Sequence, residues 1–312
     1  MTLYLVKEVD GEIPESAELN PLRYSDCSVV GSIEKIDSDV VLPETRFKAT
    51  AETGTESNSG DISTEWNIDE QDEMFAGVMC SEWKDVEDDD YEVHKELELG
   101  VKRNTYSLLK HYPQNPEEWQ LFKNEQFNQL TIDFSLNSFV KLTWGVMGAN
   151  HPKTVTSDPC ADCTYLPAMT TKSFKTLEGY IKMGDSWGNL KAIRQLPSFS
   201  LTINNNLEST QALFEKESIE QSLGDFEVTG NCDVWKADTI ATQLSNDAID
   251  GATKCIEIAV TRSYGGKDYT YIIKIEGHLD DSTESKDGNK LKNTINFSVG
   301  SAEGLKFIKL VK

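Results

Sequence analysis

The chain has 312 residues, with 53 Asp and Glu against 30 Lys and Arg, for a formal net charge of −23. That balance argues against tight, sequence-reading DNA binding, whose affinity comes mainly from cations neutralising phosphates. No apolar run approaches the length of a membrane span, and six cysteines are too few for a disulfide scaffold. The start, MTLYLVKE, lacks the basic and apolar regions of a secretory signal, so a product made in the cytoplasm is expected.

Residues 1–20 are mixed and polar and read as an arm. Strand-like text begins near Leu22 and runs through Ser28–Gly31. Residues 36–55 read as a long hairpin or loop, with Pro43 tolerable only at an edge or bend. From Asp61 to Trp66 the residues alternate, with Ile62, Thr64 and Trp66 on one face and Asp61, Ser63 and Glu65 on the other. Residues 69–80 predict a helix, with acid in its first turn and Met74, Phe75, Val78 and Met79 on an apolar face. Residues 85–92, DVEDDDYE, read as a solvated acidic loop. Residues 97–109 suggest two strands about a turn, and 129–136 a strand with Leu130, Ile132, Phe134 and Leu136 inward. Residues 139–147 continue the β pattern, while 148–170 carry three prolines and little periodicity.

The second half repeats this order. Residues 199–203 alternate, as do Phe226, Val228, Cys232 and Val234 around Gly230. A short helix is expected over about 238–246. Residues 254–263 and 267–276 form a predicted hairpin about Gly265 and Gly266. Core-in, polar-out alternation implies antiparallel sheets in a sandwich with a helix attached.

The halves also echo each other directly. GTESNSGDISTEW at 54–66 matches GDFEVTGNCDVWK at 224–236, with Gly54 on Gly224 and Gly60 on Gly230. The same offset sets Ser28, Ser32 and Ile33 on Ser198, Thr202 and Ile203. TIDFSL at 131–136 returns as TINFSV at 294–299. Two copies of one β-rich unit are therefore expected, with enough chain for two modest cores. The units are placed at 21–150 and 171–312, joined by a linker at 151–170.

The polar faces of the recurring strands share a character. Asp61, Ser63, Glu65, Asp133, Asp225, Glu227, Asn231 and Asp233, with Thr131, Ser135, Thr229, Thr294, Asn296 and Ser298, include no Lys or Arg. An ordinary wet sheet mixes both charge signs. A wall without cations offers phosphates nothing to bind, and screening confines its repulsion to about 8 Å, so it matters in a narrow passage.

At this point the residues resemble a family. SFSLTINNNL at 198–207 and GDFEVTGNCDV at 224–234 resemble a strand, an Asn–Asn pair and a Phe-x-Val-Thr-Gly strand of the major tail tube proteins of long-tailed bacteriophages. FVKLTWG at 139–145, Ser59–Asp61 before an acidic helix, and LELGVKR at 97–103 support the likeness over roughly residues 20 to 310. The type resembled carries its tube fold twice in one chain and lacks the extra C-terminal immunoglobulin-like domain of some members. The resemblance implies a mainly β fold with little α, in two tandem tube-type sandwiches each with a flanking helix. Inner sheets would join between subunits into a β-barrel lumen.

It further implies a structural virion protein that stacks as rings into the hollow tail through which phage DNA is delivered. Three chains would give a ring with pseudo-sixfold symmetry; a homohexamer is the alternative. The tape measure, tail terminator and tail tip proteins would be partners. Viral DNA would pass without specific binding, and no membrane would be involved. The protein would reside in the virion tail after assembly in the host cytoplasm. The eight acidic and polar residues from Asp61 to Asp233 become candidates for lining the lumen. Val41, Leu42, Arg46, Phe47, Asn205, Asn206, Leu213 and Phe214 become candidates for contacts between subunits or rings.

Other chemistry finds little support. Cys160 and Cys163 have the spacing of half a zinc site without a second pair, so no metal or other cofactor is expected, and a loop with two thiols, open to a local disulfide after release, fits better. His94, His111, His151 and His278 are scattered and read as surface or turn residues. No phosphate loop or nucleophile motif occurs, and an enzyme, glycoside-processing or otherwise, is not expected. A β-sandwich adhesin or carbohydrate-binding module is the alternative, although its aromatic loop clusters are missing from the six scattered Trp.

Overall fold

The computed structural model describes residues 1–40, 48–88, 91–114, 116–236 and 239–312. Among the described residues, two α-helices and fifteen principal strands, besides shorter ones, form the framework. The first half holds β1 (Thr2–Lys7), β2 (Val30–Ile36), β3 (Glu52–Glu65), α1 (Asp72–Val78), β4 (Lys84–Asp88), β5 (Glu92–Glu98), β6 (Tyr106–Tyr112), β7 (Glu118–Ser135) and β8 (Lys141–Gly148). The second holds β9 (Gly179–Gly184), β10 (Ser198–Asn204), β11 (Glu227–Trp235), α2 (Thr239–Ile249), β12 (Thr253–Tyr264), β13 (Lys267–Asp287), β14 (Lys290–Val299) and β15 (Leu305–Val311). The fold is mainly β, in sandwich-like sheets. Among the described residues no helix is long and apolar enough to cross a membrane.

One antiparallel sheet runs the width of the molecule, in the order β2–β3–β8–β7–β10–β11–β14–β13. The two halves meet inside it, where Gln129–Ser135 of β7 pair with Ser198–Asn204 of β10. Two strands are long enough to serve a second layer. The N-terminal part of β7 pairs with β6, which pairs with β1. The N-terminal part of β13 lies between β12 and β15, and β9 extends that layer beyond β12. The pairings branch and do not close into a barrel within the chain.

Both halves follow the same pairing order. β3, α1, β6, β7 and β8 run in sequence with β8 returning to pair with β3. β11, α2, β12, β13 and β14 do the same, with β14 returning to β11. The echoed glycines occupy matching places for a steric reason. A Cβ at Gly60, where φ is +152°, would come within 2.6 Å of the Val29 backbone, and one at Gly230 would strike the Phe297 ring.

Pairing corrects the sequence echoes in two places. Ser63 faces Asp26, whereas its offset partner Asp233 faces Ser198. Asp26, not Ser28, therefore holds the place of Ser198, and the ungapped offset slips by two in the preceding strand. The second echo joins unlike elements, because residues 131–135 lie in β7 whereas 294–299 lie in β14.

The core is one body rather than two. A single buried cluster takes side chains from both halves. At its centre Phe75 of α1 sits 5.0 Å from Trp66, 5.1 Å from Trp144 and 5.2 Å from Phe307, centroid to centroid. Tyr271 of β13 closes on Trp66 at 5.2 Å. Such tilted and edge-on rings add to the burial of large apolar area.

Several local expectations change as well. Residues 1–20 include β1, hydrogen-bonded along β6, so they are not a free arm. The described part of the acidic run is not a loop: residues 85–88 lie in β4, which pairs with β5 from Lys84↔Glu96 to Asp88↔Glu92, while residues 89 and 90 lie outside the described residues. Between the halves, Thr164–Tyr165 pairs in parallel with Glu18–Leu19, and Cys160 is disulfide-bonded to Cys163.

Candidate functional site

The wide sheet turns one face to the core and leaves the other open. Ile62, Leu130, Ile132, Leu142, Trp144, Leu201, Ile203, Val228 and Ile295 are buried, so their alternate neighbours point the other way. Those neighbours line up in rows. Ser63, Thr143, Thr131, Thr202, Thr229 and Ser298 are successive cross-strand partners, giving a band of hydroxyls across six strands. Next to it run Glu65, Lys141, Asp133, Ser200, Asn231 and Asn296. Asp61, Gly145, Gln129, Asn204 and Glu227 make a third row.

The acids differ in how free they are. Asp61 and Glu227 are exposed. Asp133 accepts a hydrogen bond from Ser200 Oγ at 2.7 Å, and Glu65 one from Ser173 Oγ at 2.7 Å. Asp233 is the most engaged, accepting from Lys292 Nζ at 2.5 Å, Thr294 Oγ1 at 2.6 Å and Ser198 Oγ at 2.8 Å. Burial pushes its carboxyl up, but these donors outweigh burial and hold it below the usual range. It is a structural knot more than a free charge.

The expectation of a wall free of cations is corrected here. Lys141 is exposed on the same face between Glu65 and Asp133, and Lys292 sits against Asp233. Lys290, exposed at the next outward position of β14, is the cross-strand partner of Asp287, so the face remains acidic and hydroxyl-rich with these lysines set beside carboxylates. Its chemistry is that of a hydrated, weakly repelling surface for anions.

The chain matches, over residues 1–299, the model of a family described as "Phage tail tube protein". It belongs to the phage tail tube protein family. No curated protein matches it. Membership makes it a structural tail protein of the virion, of a kind that is typically not enzymatic.

As a tail tube protein, the chain presents two sheet edges. β2 pairs only with β3, and the C-terminal part of β13 pairs only with β14, so each ends the wide sheet with an unpaired side among the described residues. Val30, Ile33 and Ile36 on β2 are exposed, which is unusual for an edge left to solvent.

The contact candidates fall out unevenly. Val41, Leu42, Arg46 and Phe47 lie outside the described residues. Asn205 is buried, and its Nδ2 donates to the carbonyls of Val78 and Phe127, each at 2.9 Å. It ties α1 to β7 and has nothing left for a neighbour. Asn206 is exposed and donates to the Asp225 carbonyl at 2.8 Å. Leu213 and Phe214 are 86% and 101% exposed at a turn.

Asp225 is the lumen candidate that moves, lying in the loop before β11 rather than on its face. Sequence reasoning missed Lys141 because β8 has no echo, although its alternation marks the face it lies on. His94 was also misread, being buried in β5 rather than set in a turn. Its ligand atoms gather with those of Asp88 and Glu96 within 4.8 Å, but Lys306 Nζ occupies Glu96 Oε2 at 3.0 Å. A lysine ammonium there competes with any metal.

Proposed function

We propose that the chain is a major tail tube subunit whose wide sheet becomes one third of a β-barrel lining the conduit for viral DNA. Its halves are read as two copies of one tube fold, about residues 21–150 and 171–312, joined across the β7–β10 seam. The observation that carries this reading is the eight-strand sheet, covered on one face, polar on the other and open at both edges. Pairing β2 of one chain with β13 of the next would remove both edges by closure.

Strand geometry favours three chains. Roughly 24 strands at about 4.8 Å spacing give a backbone diameter near 37 Å before tilt widens it. Side chains of about 5 Å on each wall leave roughly 27 Å, enough for a duplex about 20 Å across. At the usual barrel tilt of about 35–45° the bore of three chains widens to roughly 35–42 Å and that of two chains to only about 20–25 Å, with little clearance for that duplex, and six would leave a far wider pipe. Rings then stack along the axis, meeting terminator, tip and tape measure proteins at the ends and in the bore.

Electron microscopy of the purified chain tests this. Rings or tubes with threefold symmetry are expected, while a monodisperse monomer at high concentration would remove the proposal. The polar face has its own test in Asp61→Lys combined with Glu227→Lys. Both positions are exposed, so tubes should still form while genome delivery slows, most strongly at low salt. Delivery at the normal rate would show that this face does not line the bore.

A further inference from the structure

Two features sit at opposite ends of the same strands. After Asn204, which pairs with Gln129 and Glu227, the chain leaves the sheet as the 205–226 segment, stiffened by a ladder between Glu208–Thr210 and Glu220–Ser222. Its turn carries Leu213 and Phe214, 86% and 101% exposed. Phe214 has φ +73°, a costly backbone setting for a bulky residue. Nothing among the described residues covers that ring. The β2–β3 hairpin overhangs the sheet at this same end, past Gly148 of β8.

Six residue steps along β10, about 20 Å at strand rise, lead to Ser198 at the other end. There a cavity of about 440 Å³ opens beside β7, β9, β10 and β12. Its apolar lining includes Phe134, Leu136, Leu196, Phe199, Ile258 and Val260. Leu136 is 60% exposed at the rim, and Arg194 stands there exposed. Glu215, exposed and adjacent to Phe214, supplies the opposite charge.

We infer that the cavity is the socket for the Leu213–Phe214 tip of a second copy of this chain, stacked end to end. The inference rests on the tube reading and specifies its axial contact. Plug and socket lie on the same strands at opposite ends, so translating one copy along those strands brings a tip towards the next socket. The volume lies within the roughly 300–1,000 Å³ range of pockets that seat small ligands, ample for a Leu and a Phe side chain. Such a contact is heterologous and does not close, so it propagates a filament.

The test is a chain carrying both Phe214→Cys and Leu136→Cys, both at exposed positions where the fold is not at risk. The two sites lie at opposite ends of one chain, so a disulfide between them joins copies. Tubes oxidised mildly should give a ladder of chain multiples on a non-reducing gel, lost on reduction and absent from either single variant. Tubes without that ladder would overturn the socket while leaving the tube reading intact. A wild-type chain that forms neither rings nor tubes would overturn the tube reading itself, and the socket with it. As a second measurement, Phe214→Asp should leave rings but abolish tubes, and normal tubes from that variant count against the inference.

Discussion

Replacing Trp144 with alanine should cost the chain about 3–5 kcal/mol, the range seen when a buried Trp or Phe is truncated in a core. Trp144 is fully buried on β8, with its ring against Phe75 at 5.1 Å and Phe127 at 5.6 Å. Its Nε1 donates to Thr64 Oγ1 at 3.1 Å, and Thr64 is itself buried. Truncation thus opens a cavity where α1, β3 and β7 converge and strands a hydroxyl. Folded domains hold only about 5–15 kcal/mol of net stability, so a third or more could vanish. Trp144→Phe keeps most of the ring and loses the hydrogen bond, and should cost about 1–2 kcal/mol. Denaturant midpoints of the unassembled chain measure both. An alanine variant within about 1 kcal/mol of wild type would contradict the close packing of Trp144 against α1 and β7.

The second large effect is a pH dependence centred on Glu125. This carboxyl is buried in β7, with Gly148 leaving room for it, and burial is the main reason its pKa is pushed up to about 8. The nearby Glu8 raises it further, while Asn58 and Lys110 pull it down. Folded chain therefore holds a proton that unfolded chain releases above the ordinary value of 4.5. Stability from this group is full below that value and is lost as pH rises towards about 8. The expected slope is at most about 1.4 kcal/mol per pH unit. Glu125→Gln mimics the neutral form and should flatten the profile, leaving the variant more stable than wild type near pH 8. Urea titrations at several pH values, compared between the two chains, give the answer. Parallel profiles would mean that Glu125 is ionised in the fold.

Alternation told which residues lie on which face, and for β3, β7, β10 and β11 that reading was sound within the strands; it failed at their ends, where Leu136, expected inward, is 60% exposed past β7 and Phe226 lies in the loop before β11. It works within a strand because the period of a strand is a local property. Partner choice is not local. The β7–β10 seam has no signature in either strand, since both offer the same apolar-in, polar-out pattern to any neighbour. The same degeneracy explains the misleading likeness of 131–136 to 294–299. Any strand in this sheet needs Ile and Phe inward with Thr, Asp, Asn or Ser outward, so similar words arise in β7 and β14 without equivalence.

The glycine echo carried more information, because Gly60 and Gly230 answer a steric demand that few positions impose. Asn205 was misjudged for the opposite reason. An amide reads as a surface group until its partners are known, and its partners, Val78 and Phe127, are 127 and 78 residues away in the chain. The exposed pair Leu213 and Phe214 was legible from the start, as apolar residues in a segment without strand periodicity.

The β7–β10 seam has a consequence for how the proposed pipe would be built. In the proposed circle of three, every second junction would already be made when a monomer leaves the ribosome, and only the remaining ones would await collision. Half the joints would thus escape dependence on protein concentration. The built-in joints are also free to diverge in sequence from the diffusional ones, since a change in one kind need not be matched in the other. A mutation on the unpaired side of β2 or of the C-terminal part of β13 would then delay circle formation without loosening the monomer, whereas one in the seam would loosen the monomer first.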